Sequence, residues 1–195
     1  MLHKIITLFC FLTISSSSFA QLVWNPKKTK PAIEQVKTTH EGYRMIFSKE
    51  RAADSKTEGG CLVKVTAMVA DADTLYNVLF TFSKDKPLVI KKGTKGLFKL
   101  ADDSIVEVTC ASDSEDRVGK YMGYHVTLYT AHFTVDLDNE LLQEFSKGIS
   151  KMGFAVNEER LDYPLKKDNI SDFILQSFMI VREEARKNAK FEDGF

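Results

Sequence analysis

Apolar and polar residues alternate with a period of two through most of the middle of the chain. From Cys61 to Ala70, Cys61, Val63, Val65, Ala67 and Val69 fall on one side, and Leu62, Lys64, Thr66 and Met68 on the other. That is the pattern of a strand. Asp71-Ala72-Asp73 predicts a turn, and Leu75 to Phe82, rich in aromatic and branched residues, a second strand that completes a hairpin. Tyr43 to Ser48 is a shorter strand, and Leu97 to Leu100 with Ile105 to Cys110 flank Asp102-Asp103 as another hairpin. Pro87 to Ile90 reads as an edge segment, because proline cannot complete an interior ladder. Tyr121 to Val135 alternates throughout, with His125 and His132 on opposite faces. At about 3.3 Å per residue it would span roughly 50 Å, so a bend or bulge is expected in it.

The period then changes. Asp138 is placed to cap a short helix carrying Leu141, Leu142 and Phe145, which Gly148 ends. Met152, Phe154 and Val156 return to alternation, and Tyr163-Pro164 opens a connection. After Asp168 or Asn169 as a cap, Ile170, Phe173, Ile174, Ser177, Phe178, Val181 and Ala185 recur at helical spacing, with Leu175 and Met179 widening the stripe. Beyond Val181 the composition turns charged, so the last turns are expected to leave the core. Lys49 to Gly60 and Ala111 to Gly119 read as polar loops, and residues 21–41, which show no period, as an extended lead-in. The expected fold is α+β: an antiparallel sheet of about seven strands, packed by a long C-terminal helix and one short helix, in a single domain over residues 42–195.

Residues 1–20 stand apart. His3 and Lys4 precede an apolar run of ten residues, Ile5 to Ile14; Ser15 to Ser18 then lead to Phe19 and Ala20. Ser18 and Ala20 put small residues three and one before a cut ahead of Gln21, as a signal peptide requires. Ten residues is about half of what a membrane-spanning helix needs. Cys10 follows Phe9 inside the apolar run and falls within the discarded segment. The expected location is therefore exported, in a periplasm or secreted, with no transmembrane segment after cleavage.

Composition narrows the function classes. Basic and acidic residues each total 27; the leader removes Lys4 alone, so the mature charge is 26 against 27, or −1. That balance argues against nucleic acid as a partner. Locally the charge is uneven. Lys84, Lys86, Lys91, Lys92, Lys95 and Lys99 face only Asp85 in their span, a candidate edge for an anionic partner or a device against edge pairing. Asp102 to Asp116 then carries acids and no base through Asp102, Asp103, Glu107, Asp113, Glu115 and Asp116. In an oxidising compartment Cys61 and Cys110 are a candidate disulfide, closing a 49-residue span worth roughly 4 kcal/mol in the chain-entropy model. The other reading is two small buried residues on different strands.

Signatures of chemistry are weak. No two histidines sit four apart on a helix, and there is no Gly-x-Ser-x-Gly elbow. Asp136, Asp138 and Asn139 lack the glycine and the distal glutamate of a calcium loop. Cys61 follows Gly59-Gly60 but opens a strand, without a helix dipole to lower its pKa. No catalytic residue, metal ligand or cofactor is assigned.

The stretch Ile90-Lys91-Lys92-Gly93, Leu97-Phe98-Lys99-Leu100, Asp102-Asp103-Ser104-Ile105-Val106-Glu107-Val108, with the later Leu141-Leu142 helix, the strand from Ile149 to Val156 and the C-terminal helix, resembles exported α+β proteins of Bacteroidetes-type bacteria over roughly residues 60–185. That family has no assigned activity, and the resemblance implies only an envelope or secreted location. The chain departs from the family's aspartate-glycine turn, having Asp103-Ser104. In such bacteria Asp73-Thr74-Leu75 and Asp103-Ser104-Ile105 resemble O-glycan acceptors, at Thr74 and Ser104. Asn169-Ile170-Ser171, the other glycan signal, falls on a helix start and reads as a cap.

The leading expectation is an exported, non-catalytic envelope module that binds a protein or glycan. The alternatives are a cavity protein, with Tyr76, Phe80, Phe82, Tyr129, Phe133 and Phe178 around an apolar ligand, and an enzyme whose site is assembled from distant residues.

Overall fold

The computed structural model describes residues 30–54, 61–70, 73–83, 89–121, 124–156, 159–165 and 170–192. The leader, Lys84, Lys86, the 71–72 turn and the helix caps at Asp168 and Asn169 lie outside them. The α+β class holds, but among the described residues one antiparallel sheet contains eleven strands rather than seven. They are β1 (Ile33–Thr38), β2 (Arg44–Ser48), β3 (Arg51–Asp54), β4 (Cys61–Ala70), β5 (Asp73–Ser83), β6 (Lys95–Leu100), β7 (Ile105–Cys110), β8 (Glu115–Tyr121), β9 (Tyr124–Val135), β10 (Ile149–Val156) and β11 (Glu159–Pro164). Helix α1 spans Asn139–Ser146, and α2 spans Ile170–Glu192.

Several expectations are corrected by this list. Residues 33–38 of the supposed lead-in form β1, and the charged loops at 49–60 and 111–119 contain β3 and the start of β8. The long strand expected from Tyr121 begins only at Tyr124, and its ladders with β5 and β8 carry no bulge. The chain reverses, so that Tyr121 of β8 pairs with Tyr124 of β9. Tyr163 and Pro164 belong to β11, and Val89 and Ile90 belong to no strand.

The sheet order is β1-β2-β4-β5-β9-β7-β6-β10-β11, with β3 also on β4 and β8 also on β9. The strands β2 and β3 share one edge of β4, separated by a break at Ser48. The Ser48 hydroxyl accepts the Val65 N–H at 2.9 Å, supplying a partner where the ladder is interrupted.

The sheet is strongly curled. Four steps across it separate β5 from β10, about 19 Å if it were flat. Yet the Phe154 ring on β10 lies 5.7 Å from Phe80 and 5.1 Å from Phe82 on β5. Tyr163 of β11 lies 5.6 Å from Phe82, so β10 and β11 both fold over the same core. Gly96 permits the close layer. A Cβ there would stand 2.9 Å from both the Phe133 ring and Val108 Cγ2, closer than atoms pack.

The expected stripe of α2 is the buried one: Ile170, Phe173, Ile174, Ser177, Phe178, Val181 and Ala185 are all at most 3 % exposed. Burying Phe173, Ile174, Phe178 and Val181 contributes roughly 1.5–3 kcal/mol each. Leu175 is half-buried, whereas Met179 is 53 % exposed and lies outside the stripe. The helix also holds to the sheet beyond Val181. Arg44 of β2 binds the Glu184 carboxylate at 2.5 Å and the Glu184 carbonyl at 2.9 Å. Glu184 thus anchors this turn, and beyond Ala185 the next residues, Arg186 and Lys187, are exposed. The Asp138 carboxylate accepts the Leu141 N–H at 2.7 Å to start α1, and Gly148, at φ +91°, ends it and aims the chain into β10.

Candidate interaction surfaces

The lysine-rich segment and the acidic run that follows fold against each other, because both lie along β6, β7 and their flanks. Lys91 pairs with Asp113 at 3.1 Å, Lys95 with Glu107, and Lys99 with Asp103 at 2.7 Å. The Lys92 N–H also donates to Asp113 at 2.8 Å, and this bond, ahead of Lys91, holds the Asp113 carboxyl below its ordinary range. The described part of the candidate basic edge is therefore a solvated face of alternating sign. Each exposed pair adds little to stability.

The β6–β7 turn places Ser104 in solvent, as an acceptor site would need. Its hydroxyl donates to the Asp102 carboxylate at 2.5 Å, and Asp103 adopts φ +70°. Aspartate tolerates that left-handed conformation better than most residues, so the turn forms without a glycine at either position. The Ser104 bonds, then Lys147, lower the Asp102 pKa to about 2. Thr74, the other candidate acceptor, is exposed near the start of β5.

Register keeps the two cysteines apart. Cys61 stands opposite Phe82 of β5, and Cys110 opposite Phe133 of β9. Phe133 in turn pairs with Val78, and Val78 with Val65, four residues along β4 from Cys61. Both are buried thiols, donating to the Leu62 carbonyl at 3.7 Å and the Ser112 carbonyl at 3.1 Å. Ellman's reagent should react with neither Cys61 nor Cys110 in the folded protein and with both after unfolding without reductant; two unreactive cysteines in denaturant would mean a bridge.

Phe80, Phe82 and Phe133, offered as cavity lining, pack ring on ring with Phe98 and Phe154 at 5.1–6.5 Å, within one continuous core that also holds Tyr76, Tyr129 and Phe178. Burial raises the Tyr76 pKa. His132 is 2 % exposed on β9, and desolvation lowers its pKa to about 4. No group of three His, Cys, Asp or Glu among the described residues is placed to hold a metal.

Two features escaped sequence reasoning. The first is a polar row crossing β4, β5 and β9 on the face opposite the aromatic core. Thr66 pairs with Asn77, and Asn77 with Thr134. Thr134 Oγ1 donates to Asn77 Oδ1 at 3.0 Å, and the Thr81 and Thr130 hydroxyls meet at 3.1 Å. Thr66 and Asn77 are at most 1 % exposed, so the row is structural rather than open to a ligand. Its signal was present in the second face of the alternation, where threonine and asparagine recur.

The second feature is a ribbon. On one side, β5 pairs with β9 only from Leu128 to Val135. On the other, β8 follows β9 as far as Tyr124, so the ends of β8 and β9 run on beyond β5 as two strands. Among the described residues β8 pairs with no other strand, and Val118 on it is 73 % exposed, more than Ile105 at 61 %. An unpaired edge offers main-chain donors and acceptors to another strand.

Together these features define a class: among the described residues, an α+β protein built on a single curled antiparallel sheet, packed by a C-terminal helix and carrying a two-stranded ribbon. No family model, curated protein or solved structure matches the chain. No helix among the described residues is long and apolar enough to cross a membrane.

Proposed function

We propose that this protein is an exported, non-catalytic module that binds a protein partner through the edge of its β8–β9 ribbon. The observation that carries the reading is that, among the described residues, the far edge of β8 pairs with no strand and Val118 is exposed on it. Such an edge accepts an extended peptide by continuing the ladder. A protein suits it better than an anionic glycan, because Lys91, Lys95 and Lys99 of β6 and its flank are already matched by acids. The strongly shifted groups do not suggest an active site. Asp102 answers to its own turn and His132 to burial within the sheet, and they share no contact.

Two measurements test this. Sequencing the exported chain should find Gln21 at its N-terminus; an intracellular chain beginning at Met1 would overturn export. A photo-crosslinking residue at Val118 should yield a defined polypeptide adduct in the source cells, while the same group at Ile105 should not. Equal labelling at both positions, or none at Val118, would overturn the binding surface.

A further inference from the structure

We infer that the partner of β8 is a second copy of this chain, the two β8 strands pairing antiparallel about a twofold axis at Val118. This rests on the binding reading above and names its occupant. A twofold axis normal to the sheet relates antiparallel strands residue to residue, so one position of β8 must face itself.

The sequence of the strand selects which one. With the axis at Asp116, Arg117 or Lys120, a charge stands opposite its own copy, which is unfavourable. At Val118, an apolar residue faces its copy, and Asp116 stands opposite Lys120 of the partner subunit twice over. An axis at Gly119 joins no opposite charges and sets Val118 against a lysine. The acids at the start of β8 and the lysine near its end thus make the strand self-complementary in one register.

The other edges are less suited. The acid of β1, Glu34, is already held by Lys64 at 2.6 Å, and β11 ends in Pro164, which has no N–H to give. On β8, Asp116 and Val118 are both exposed.

Sedimentation equilibrium of the full mature chain should show a monomer–dimer equilibrium. Asp116→Lys and Lys120→Asp each convert two opposite-charge pairs into like-charge pairs. Each should weaken the dimer by about tenfold or more. The double exchange, Asp116→Lys with Lys120→Asp, restores the pairs and should restore the dimer. Val118→Cys should form an interchain disulfide on mild oxidation, since directly opposed Cα atoms are about 4.5–5.5 Å apart. Ile105→Cys should not. A chain monomeric at every concentration, single exchanges without effect, or a double exchange that fails to restore the dimer would each overturn the proposal. If the chain is monomeric but Val118 still crosslinks to a different polypeptide in cells, the second copy is wrong and the binding reading stands. If no adduct forms, both fall.

Discussion

Replacing Phe154 by alanine should lower the unfolding free energy by about 3–5 kcal/mol. The Phe154 ring lies between β10 and the strands beneath it, 5.7 Å from Phe80, 5.1 Å from Phe82, 5.8 Å from Phe133 and 5.8 Å from Tyr163. It is 3 % exposed, so its removal leaves a cavity bounded by four rings from three other strands. Those rings are fixed by their own ladders and relax little. Against a total stability of about 5–15 kcal/mol, the loss is a large fraction. In urea the midpoint should fall with the slope unchanged. Met179→Ala, on the exposed side of α2, should change stability by no more than about 0.5 kcal/mol. A Phe154→Ala loss below about 1 kcal/mol would mean that β10 does not lie over β5.

The second large effect is a pH dependence carried by His132. Its folded pKa is lowered from 6.5 to about 4 because the imidazole is buried away from water. Between those values the unfolded chain binds a proton that the folded chain does not. Stability therefore falls as pH drops through that window, and levels off for this group below about pH 4. The shift corresponds to about 3 kcal/mol in all. The carboxylates lowered by their partners, Asp102, Asp113, Asp162 and Glu184, lose their contribution only as pH falls through and below the ordinary carboxylate range, at the acid end of that window and beyond it. The measurement is the difference in urea-unfolding free energy between pH 7 and pH 4.5, for the parent and for His132→Gln. The parent should lose more by roughly 2–3 kcal/mol. Equal losses would place the imidazole in contact with water.

The parts of the fold readable in the sequence are those buried along one face. In β4, Cys61, Val63, Val65 and Ala67 all enter the main core, and in α2 the residues at helical spacing are the buried ones. The strands that escaped notice are edges or short pieces. Strand β8 reads Glu-Asp-Arg-Val-Gly-Lys-Tyr, with a single aliphatic residue, and β3 has only four residues. A strand paired on one side and facing water does not have to alternate, so its composition resembles a loop. The candidate surface was missed for the same reason, since β8 was read partly as loop and partly as the start of β9.

Local order, then, was set by the sequence: the hairpin from Cys61 to Ser83, the Asp138 cap, the Gly148 stop and the apolar stripe of α2 each depend on residues close together in the chain. Closure of the sheet over Phe154, the separation of Cys61 from Cys110, the matching of Lys91, Lys95 and Lys99 with nearby acids, and the exposure of Val118 on β8 came only from tertiary structure. Hydrophobic burial records that a side chain leaves water but not which distant partner it meets. Strand order and curl decide the partner, and neither leaves a periodic trace.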